Sequence, residues 1–494
     1  MSLKWFHYAQ KAVLHPSSPL YNYEISELTI AATRALHRIF RLCDLDNDGL
    51  LNDNEINFLQ IRAFGAPLDK INLAEIKGLI QSNTIAGISH DAITEEGFLF
   101  LNNLFIQRGR IETTWAILRS FGYSDVLEIR EDLIQPNFDL KLGCSVELTG
   151  LGSEFMASLF HKHDRDRDGA LSPHELMDLF DVCPRNNPWG MDVFHSVTTN
   201  NKGWIDLNGF LCQWSMTAYL DTPRFIEYLA YFGYMECDHN NNSTAIRVTR
   251  SKAEDLKSRV CTRNMFLCHV IGPEGAGKSS FMQGLLGRTV KELRRMDHVN
   301  ELSRYAINCL NYKGHNKYLL MHDFDVAEND ILTDEDLDCD VVVLMYDASD
   351  SYSFETVAIL YRNHFLNPTC PPIASSSQLT SSRPSVVMPP PRVLICGAKS
   401  DRAEVKQQFE MSPAQFCRRH LLPPPVLVSS WSEIKPHVYH TLLSLAINPH
   451  KRRKYHYYYY SFIDSFWAKT TAAITASTVG ALAAVLIYRK YIRT

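Results

Sequence analysis

Two acidic twelve-residue segments carry the clearest chemistry in the sequence. The first, DLDNDGLLNDNE at 44–55, alternates aspartate with other residues, has glycine in sixth place and ends in glutamate. A twelve-residue calcium loop takes its ligands from positions 1, 3, 5, 7, 9 and 12 and turns sharply at a glycine in position 6. The predicted ligands are Asp44, Asp46, Asp48, the backbone carbonyl of Leu50, Asn52 through a water, and Glu55.

The second segment, DRDRDGALSPHE at 164–175, repeats the pattern in full. Its predicted ligands are Asp164, Asp166, Asp168, the backbone carbonyl of Ala170, Ser172 and Glu175. Gly169 stands at position 6, and the two arginines fall on positions that do not bind the metal. A solvated acidic turn is the alternative for either segment, but two full matches in one chain favour two calcium sites.

A glycine-rich segment predicts a phosphate-binding loop. Gly272, Gly277, Lys278 and Ser279 fit the pattern GxxxxGK[ST], between an apolar strand and an apolar helix. The backbone N–H groups of such a loop surround phosphates at the start of the helix. Lys278 is then predicted to contact the β and γ phosphates and Ser279 to bind magnesium. Asp323, which ends the apolar run KYLLMHD, is suited to hold the same magnesium through water.

A later strand predicts that the nucleotide base is guanine. RVLICGAKSD at 392–401 ends in a segment similar to the NKxD motif of small GTPases, with Ala398 replacing the asparagine. Asp401 can accept hydrogen bonds from guanine N1 and N2, which adenine lacks, and the stem of Lys399 can pack over the base. The predicted nucleotide-contacting residues are Gly272, Gly275, Gly277, Lys278, Ser279, Ser280, Lys399, Asp401, Ser429 and Ser430.

The residues expected to carry out hydrolysis are missing. Small GTPases have a DxxG glycine and then a glutamine after the strand that ends here at Asp323, but Val326 stands at the glycine position. No switch I threonine can be assigned, so the catalytic residues are unknown and we expect slow turnover or none. Residues 367–391 are rich in proline and serine and predict a disordered insertion.

The elements around the calcium loops predict a duplicated unit. Calcium loops of the EF-hand type usually occur in pairs, and segments 86–97 and 198–209 have the length of partner loops with an apolar residue at position 8. Both end in glycine and lack the ligand residues, so they are predicted to be hidden, metal-free hands, ordinary loops being the alternative. Two similar segments, 113–123 and 224–234, predict short amphipathic helices ending in Phe-Gly-Tyr that close each pair as built-in ligands.

Length and composition set limits on the class of protein. The chain has 494 residues, enough for roughly three domains. Its net charge of −5 gives no indication of nucleic acid as a partner. The 12 cysteines are scattered without a CxxC pair, which favours reduced thiols over a disulfide framework or a zinc site. The first residues lack the apolar core of a secretory signal.

The end of the chain predicts a membrane anchor. Residues 470–488 carry no charge, and as a helix they would span about 28 Å, close to the thickness of a bilayer core. A basic and aromatic segment precedes them at 449–469, and basic residues follow. A short anchor of modest hydropathy with basic flanks favours insertion from the cytosol into the mitochondrial outer membrane. A buried C-terminal helix is the alternative.

The order of these parts resembles the mitochondrial Rho GTPases, and the phrases YAQKAVLHP, FLFLNNLFIQRGRIETTW, KYLLMHD and AKSD support the resemblance. The predicted fold is multidomain: all-α paired EF-hands, two visible and two hidden, then an α/β Ras-like P-loop GTPase domain and one transmembrane helix. The expected parts are a linker at 1–20, EF-hand pairs at 21–125 and 126–240, a GTPase domain at 260–448, a juxtamembrane segment at 449–469 and an anchor at 470–488.

The resemblance also implies a function. It predicts a calcium-binding, tail-anchored GTPase of the mitochondrial outer membrane, with GTP or GDP and Mg²⁺ as further cofactors. Its partners would be adaptors of kinesin and dynein, no nucleic acid is expected, and self-association stays open. The family carries another GTPase domain ahead of YAQKAVLHP, so a shortened form is expected here. The alternatives are a calcium-sensing scaffold that binds guanine nucleotide without hydrolysis and, more remotely, a P-loop nucleotide kinase.

Overall fold

The computed structural model describes residues 16 and 19–448 except for 136–137, 139, 142, 185–188, 191, 237–242, 296–301, 325, 327–337 and 367–390. Two compact units make up these residues. The first holds the chain up to Lys252 together with Thr262–Met265 and Arg294–Leu320, and the second holds the rest. The predicted anchor at 470–488 lies outside the described residues. Within the described part of the chain, no helix is long and apolar enough to cross a membrane.

Helices and very short strands build the region that contains both acidic segments. Its helices are α1 (Ile30–Cys43), α2 (Asp53–Phe64), α3 (Lys70–Asn83), α4 (Glu95–Gln107), α5 (Ile111–Ser120), α6 (Glu131–Ile134), α7 (Gly150–His163), α8 (Pro173–Phe180), α9 (Val193–Ser196), α10 (Leu207–Leu220) and α11 (Thr222–Tyr231). The next helix, α12 (Lys252–Ser258), belongs to the second unit except for Lys252. Its strands are β1 (Tyr21–Asn22), β2 (Glu27–Leu28), β3 (Leu50–Leu51), β4 (Ile88–Ser89), β5 (Ala92–Thr94), β6 (Val146–Leu148), β7 (Ala170–Leu171), β8 (Ile205–Asp206) and β9 (Ile246–Val248).

Each acidic segment pairs with the partner segment expected from the sequence. Leu51 of the first segment is opposite Ile93 in the antiparallel pair β3–β5. Leu171 of the second is opposite Ile205 in the antiparallel pair β7–β8. All four residues stand at position 8 of their segments. This is the contact that the paired-hand interpretation predicts.

A closing helix packs on each pair of hands. Helix α5 packs against α1, α2 and α4, and α11 packs against α10. Both helices end before the Phe-Gly-Tyr motif rather than within it, which corrects the predicted ends. Gly122 and Gly233 have φ values of +87° and +85°, and a left-handed glycine directly after a helix stops its hydrogen-bond ladder. Trp115 of α5 is fully buried, so this helix is part of the core.

A six-stranded sheet forms the centre of the region that contains the predicted phosphate loop. Its strands are β10 (Met265–Ile271), β11 (Tyr305–Tyr312), β12 (His315–Asp323), β13 (Val341–Asp347), β14 (Arg392–Ala398) and β15 (Val426–Leu427). They lie in the order β11-β12-β10-β13-β14-β15, and β10, β13, β14 and β15 run parallel. The helices are α13 (Lys278–Leu285), α14 (Val290–Leu293), α15 (Ser353–Tyr361), α16 (Pro413–Arg419) and α17 (His437–Ile447), with a π-helix at Arg362–Leu366.

The observed strands of this sheet agree with the strands predicted from the sequence in some places and differ in others. Strand β13 is buried along almost its whole length, as its continuous apolar run predicts. The strand predicted over 426–430 is limited to Val426–Leu427, so Ser429 and Ser430 lie in the turn that follows. The sequence does not predict strand β11, because YAINCLNY has no regular alternation of apolar and polar residues.

Candidate functional site

The first acidic segment folds with its aspartates converging. Carboxylate oxygens of Asp44, Asp46 and Asp48 lie within 4.8 Å of one another. Asp44 is fully buried at the end of α1. Gly49 has a φ of +83°, and its N–H donates to Asp44 Oδ2 at 3.0 Å. The glycine therefore turns the backbone around the first carboxylate, as position 6 of a calcium loop requires.

Glu55 connects the end of this segment to its beginning. Its Oε1 accepts a hydrogen bond from the N–H of Leu45 at 2.7 Å, and its Oε2 accepts one from the N–H of Asn52 at 3.0 Å. Asn52 also caps α2, since its side chain accepts from the N–H of Glu55. Leu50, whose carbonyl is a predicted ligand, is the first residue of β3. The six predicted ligand residues therefore lie around one turn of backbone.

The second acidic segment has the same arrangement. Carboxylate oxygens of Asp164, Asp166 and Asp168 lie within 4.8 Å of one another. Glu175 Oε1 accepts from the N–H of Arg165 at 2.9 Å, and Oε2 accepts from the N–H of Ser172 at 2.8 Å. Further members of the arrangement are Gly169, whose N–H donates to Asp164 Oδ2 at 3.2 Å, and Ala170, which begins β7.

The electrostatics of both segments suit a cation. Burial raises the pKa of Asp44 and of Asp164, because a carboxylate out of water favours its neutral form. Asp164 Oδ1 is buried and has no hydrogen-bond partner among the described residues. Burial likewise raises the pKa of Glu55. A hard cation with oxygen ligands would satisfy these groups, so the residues present fit calcium.

The hidden hands have no room for the missing glutamate. A Cβ at Gly97 would lie 2.1 Å from the carbonyl oxygen of Gly87, and one at Gly209 would lie 2.2 Å from that of Thr198. Glycine at position 12 thus lets the end of each segment close onto its start. These segments have collapsed around backbone contacts where the acidic segments keep their carboxylates.

Lys202 of the second hidden hand was not identified from the sequence as part of a site. Its Nζ donates to Asp168 Oδ2 at 3.0 Å, and it lies 4.2 Å from the ring centroid of Trp204. A fixed positive charge therefore stands beside one predicted ligand of the second loop. The sequence signal is weak, because the lysine occupies a ligand position in a segment that otherwise lacks ligands.

The predicted phosphate loop connects β10 to α13. A Cβ at Gly272 would lie 2.3 Å from the carbonyl oxygen of Met345, so only glycine fits where the loop passes β13. Gly275 and Gly277 have φ values of +73° and +95°. Gly277 is the N-cap of α13, which leaves the first N–H groups of the helix directed out of its start. The loop thus forms a backbone cradle of the kind that phosphates occupy.

The predicted magnesium residues lie together beside this loop. Ser279 Oγ donates to Asp323 Oδ2 at 3.3 Å. Lys278 Nζ donates to the carbonyl of Gly272 at 3.2 Å and lies 3.6 Å from Asp323 Oδ1. Ser280 follows in the first turn of α13. The lysine, hydroxyl and carboxylate assigned from the sequence are therefore brought to one place by β10, α13 and β12.

The predicted guanine residues lie at the carboxyl ends of β14 and β15. Asp401 Oδ1 accepts a hydrogen bond from Ser429 Oγ at 2.7 Å. Lys399 has a φ of +58°, and its Nζ donates to Asp347 Oδ2 at 2.5 Å. The carbonyl of Ser430 accepts from the N–H of Val290 at 2.9 Å. The two parts of the predicted base site thus meet through direct contacts.

Asp347 is the residue of this region that sequence reasoning missed. It ends β13, and its burial opposes ionisation, but hydrogen bonds from Lys399 and Ser349 hold its pKa below the ordinary value. The charged carboxylate fixes the lysine predicted to pack over the base. A Cβ at Gly277 would lie 3.3 Å from that of Ala398, so the substituted motif lies directly against the phosphate loop.

The position of the missing DxxG glycine is filled by a packed side chain. Val326 and Phe324 lie against the hydrophobic cluster that contains Ile271 and Leu344. The ring of Phe324 is 4.8 Å from that of His269. The segment after Asp323 therefore begins with apolar contacts instead of a free backbone N–H at a glycine.

Comparison with known proteins identifies the family. Residues 66–152 and 189–260 each match a family profile described as EF hand associated. Mitochondrial Rho GTPase 1 of Caenorhabditis elegans is 36% identical over 459 residues, which cover 91% of this chain and 70% of that protein. The chain belongs to the mitochondrial Rho GTPase family. This confirms the resemblance inferred from the sequence and supports an EF-hand region combined with a GTPase region.

Proposed function

We propose that the chain is a calcium-binding, tail-anchored GTPase of the mitochondrial outer membrane that links mitochondria through adaptors to microtubule motors. In this proposal calcium adjusts that link. The observation that carries it is the convergence of three aspartate oxygens within 4.8 Å in each of two loops of a mitochondrial Rho GTPase family member. The mitochondrial location and the GTPase activity in this proposal rest on the similarity to Mitochondrial Rho GTPase 1.

Each loop would hold one calcium ion with its own oxygens. In the first loop the aspartates and Glu55 supply the charge, Leu50 a backbone carbonyl, and Asn52 a contact through water. Glu55 has a second effect, because it also bonds the N–H groups of Leu45 and Asn52. Drawing its carboxylate toward an ion would therefore shift both ends of the loop and the start of α2. Through that movement, calcium binding in the loop would change the position of the adjoining helices.

Each of the predicted nucleotide-binding residues would contact a different part of the nucleotide or its magnesium ion. Bound magnesium would neutralise phosphate charge, with Ser279 and Asp323 as its protein partners. Lys278 orients the terminal phosphates, the backbone of 272–277 donates N–H groups to them, and Asp401 selects guanine through its two acceptor oxygens. Lys399, fixed on Asp347, covers the base.

Turnover should be slow, because nothing described orients the attacking water. Val326 replaces the glycine and packs against the hydrophobic cluster, and the glutamine that follows the motif in small GTPases is absent from the sequence. This packing favours the alternative proposal, a calcium-sensing scaffold that holds guanine nucleotide without significant hydrolysis. The two proposals share every binding residue and differ only in turnover.

Calcium binding is tested by calorimetric titration of the full chain in detergent. Glu55→Gln and Glu175→Gln each remove one bidentate ligand, and each should abolish one of two calcium-binding events. Glu96→Gln, an exposed carboxylate in a hidden hand, is the matched control and should keep both. Two events that persist in the double variant Glu55→Gln, Glu175→Gln would contradict the assignment of the loops.

Nucleotide turnover is tested by single-turnover GTP hydrolysis with and without calcium. Hydrolysis that disappears in Ser279→Asn supports the enzyme, and tight GTP binding without hydrolysis supports the scaffold. Asp401→Asn tests the base: the amide can donate to the O2 of xanthine, so the variant should lose GTP and gain xanthosine triphosphate. A preference for ATP would overturn the guanine assignment and favour the nucleotide kinase.

The anchor and its membrane are tested in cells. The sequence predicts that 470–488 inserts into the mitochondrial outer membrane from the cytosol. A fluorescent fusion of the full chain should label mitochondria and resist extraction by alkaline carbonate. Replacing three apolar residues of this run by aspartate should release it, whereas the same change within 449–469 should not abolish insertion. Label on another membrane would contradict the location.

A further inference from the structure

One carboxylate lies between the two predicted calcium loops. Asp178, on α8, accepts hydrogen bonds from side chains of both EF-hand pairs. Arg41 Nη2 donates to its Oδ1 at 2.5 Å, and Asn47 Nδ2 donates to its Oδ2 at 3.1 Å. From the second pair, His163 Nδ1 donates at 3.0 Å and Arg165 Nη2 at 3.2 Å, both to Oδ2. Four donors therefore share a single acceptor group.

These donors flank the first ligand of each loop. Arg41 precedes Asp44 by one turn of α1, and its Nη1 lies 3.7 Å from Asp44 Oδ2. Asn47 is position 4 of the first loop. His163 and Arg165 stand directly on either side of Asp164, the first ligand of the second loop. A shift of either loop therefore acts on a bond to Asp178.

Lys162 makes two further hydrogen bonds between the two EF-hand pairs. Lys162 Nζ donates to the carbonyl oxygen of Arg41 at 2.7 Å, and the carbonyl of Lys162 accepts from Asn47 Nδ2 at 3.4 Å. Asn47 is therefore bonded both to Asp178 and to the residue two places before Asp164. The loops are joined by a small ring of contacts and not by one surface ion pair.

The contacts around Asp178 are largely shielded from water, except at Arg165, whose side chain is 47% exposed, so most of these hydrogen bonds are costly to leave unmade. Asn47 and His163 are each 6% exposed, and the side chain of Asp178 is 17% exposed. Hydrogen bonds from His163 and Asn47 and the charge of Arg41 lower the pKa of Asp178 although burial opposes this. A buried acceptor that loses a charged donor is destabilised more than an exposed one.

The two loops use position 4 differently, so the contact of Asn47 with Asp178 is not a general consequence of the loop turn. Asn47 and Arg167 occupy equivalent positions and share the left-handed backbone, with φ values of +60° and +57°. Arg167 is exposed, whereas the Asn47 side chain is turned toward Asp178. The turn alone therefore does not require the buried asparagine.

We propose that calcium binding at 44–55 and at 164–175 is energetically coupled through Asp178. The proposal rests on the proposed calcium binding of both loops. Calcium at one loop fixes its backbone, which holds its donors on Asp178 and leaves less ordering to be done when the other loop binds. The coupling is positive and reciprocal, and a factor of about 5–150 in affinity is typical of such linkage.

The experiment measures one loop with and without the other. In the full chain, the calcium affinity of 44–55 is determined by calorimetry with the second loop intact and with Glu175→Gln in place. We expect Glu175→Gln to weaken the first loop at least 5-fold. In the Asp178→Asn background the same comparison should give a factor near one. Comparing within each background removes the direct effect of the lost charge on affinity.

Two further variants separate coupling from loss of structure. Asp181→Asn removes another contact between the pairs, since Asp181 Oδ2 bonds His37 Nε2 at 2.8 Å, but it touches neither loop, so the factor should remain. Asn47→Gly keeps the left-handed turn and deletes one donor, so the factor should fall. An unchanged factor in Asp178→Asn, or a factor of one in the unmodified chain, would overturn the coupling. Absence of any calcium binding would instead overturn the proposed function.

Discussion

Arg38 is predicted to be the largest single contributor to the contact between the closing helices and α1. It is 2% exposed. Its guanidinium donates to the carbonyl oxygens of Phe121 at 3.2 Å, Ala230 at 2.6 Å and Tyr231 at 2.8 Å. Its Cζ also lies 5.3 Å from the ring centroid of Tyr123. One side chain thus holds the ends of α5 and α11.

The magnitude for Arg38→Met follows from these acceptors. Methionine fills a similar volume but donates nothing. The carbonyl of Ala230 keeps the N–H of Gly233 at 3.0 Å as a donor, so the main loss falls on Phe121 and Tyr231. A buried acceptor left without its donor costs about 1–3 kcal/mol, which gives a total of about 2–6 kcal/mol.

Hydrogen exchange measured by mass spectrometry on the full chain gives this quantity locally. Peptides covering α5 and α11 should lose about 2–6 kcal/mol of protection in Arg38→Met. Arg34→Met is the matched control, because Arg34 lies one turn earlier on α1 and is exposed. Surface substitutions usually change stability by less than about 0.5 kcal/mol. Equal protection in the two variants would refute the role assigned to Arg38.

Two other predictions concern the phosphate loop and pH. Gly272→Ala should abolish binding of a fluorescent GDP analogue, because the added Cβ would lie 2.3 Å from the carbonyl of Met345; wild-type affinity would contradict the close approach. The hydrogen bond between His37 and Glu95 raises the pKa of His37 above 6.5 and lowers that of Glu95 below 4.5. The contact should therefore stabilise most between about pH 4.5 and 6.5 and weaken as pH rises through the raised His37 value. His37→Gln should remove this dependence in denaturation curves at pH 6 and pH 8.5.

The sequence predicts those parts of the fold in which the functional residues lie within one short stretch of the chain. A calcium loop needs fixed spacings within twelve residues, so its ligands and its glycine turn can be assigned without any knowledge of packing. The same holds for the phosphate loop, where Gly272 and Lys278 are close in the chain. The parallel strands followed from continuous apolar runs such as β13.

Contacts between distant residues that no recognised motif marks could not be predicted from the sequence. Asp178 is one of many exposed-looking carboxylates in the sequence, and only the packing of α8 near α1 brings it to Asn47. From the sequence, Asp347 is only a polar residue at the end of a strand. Its role becomes visible in the structure, where Lys399 Nζ donates a hydrogen bond to its carboxylate. Arg38 is one of three arginines on α1, a helix with apolar spacing, and an arginine in such a pattern suggests a solvent-facing position and not a buried contact.

Binding and turnover depend on different parts of a phosphate site, so the proposed site could bind nucleotide and still lack turnover. The predicted binding parts are backbone N–H groups, Lys278 at the start of α13, and Asp401 in the turn after β14. Turnover requires a backbone N–H and a glutamine in the segment after Asp323, which must follow the state of the γ-phosphate. Val326 is partly buried against the hydrophobic cluster instead. Without hydrolysis the nucleotide state would change only by exchange with solution, and we then expect calcium at the two acidic loops to be the working switch.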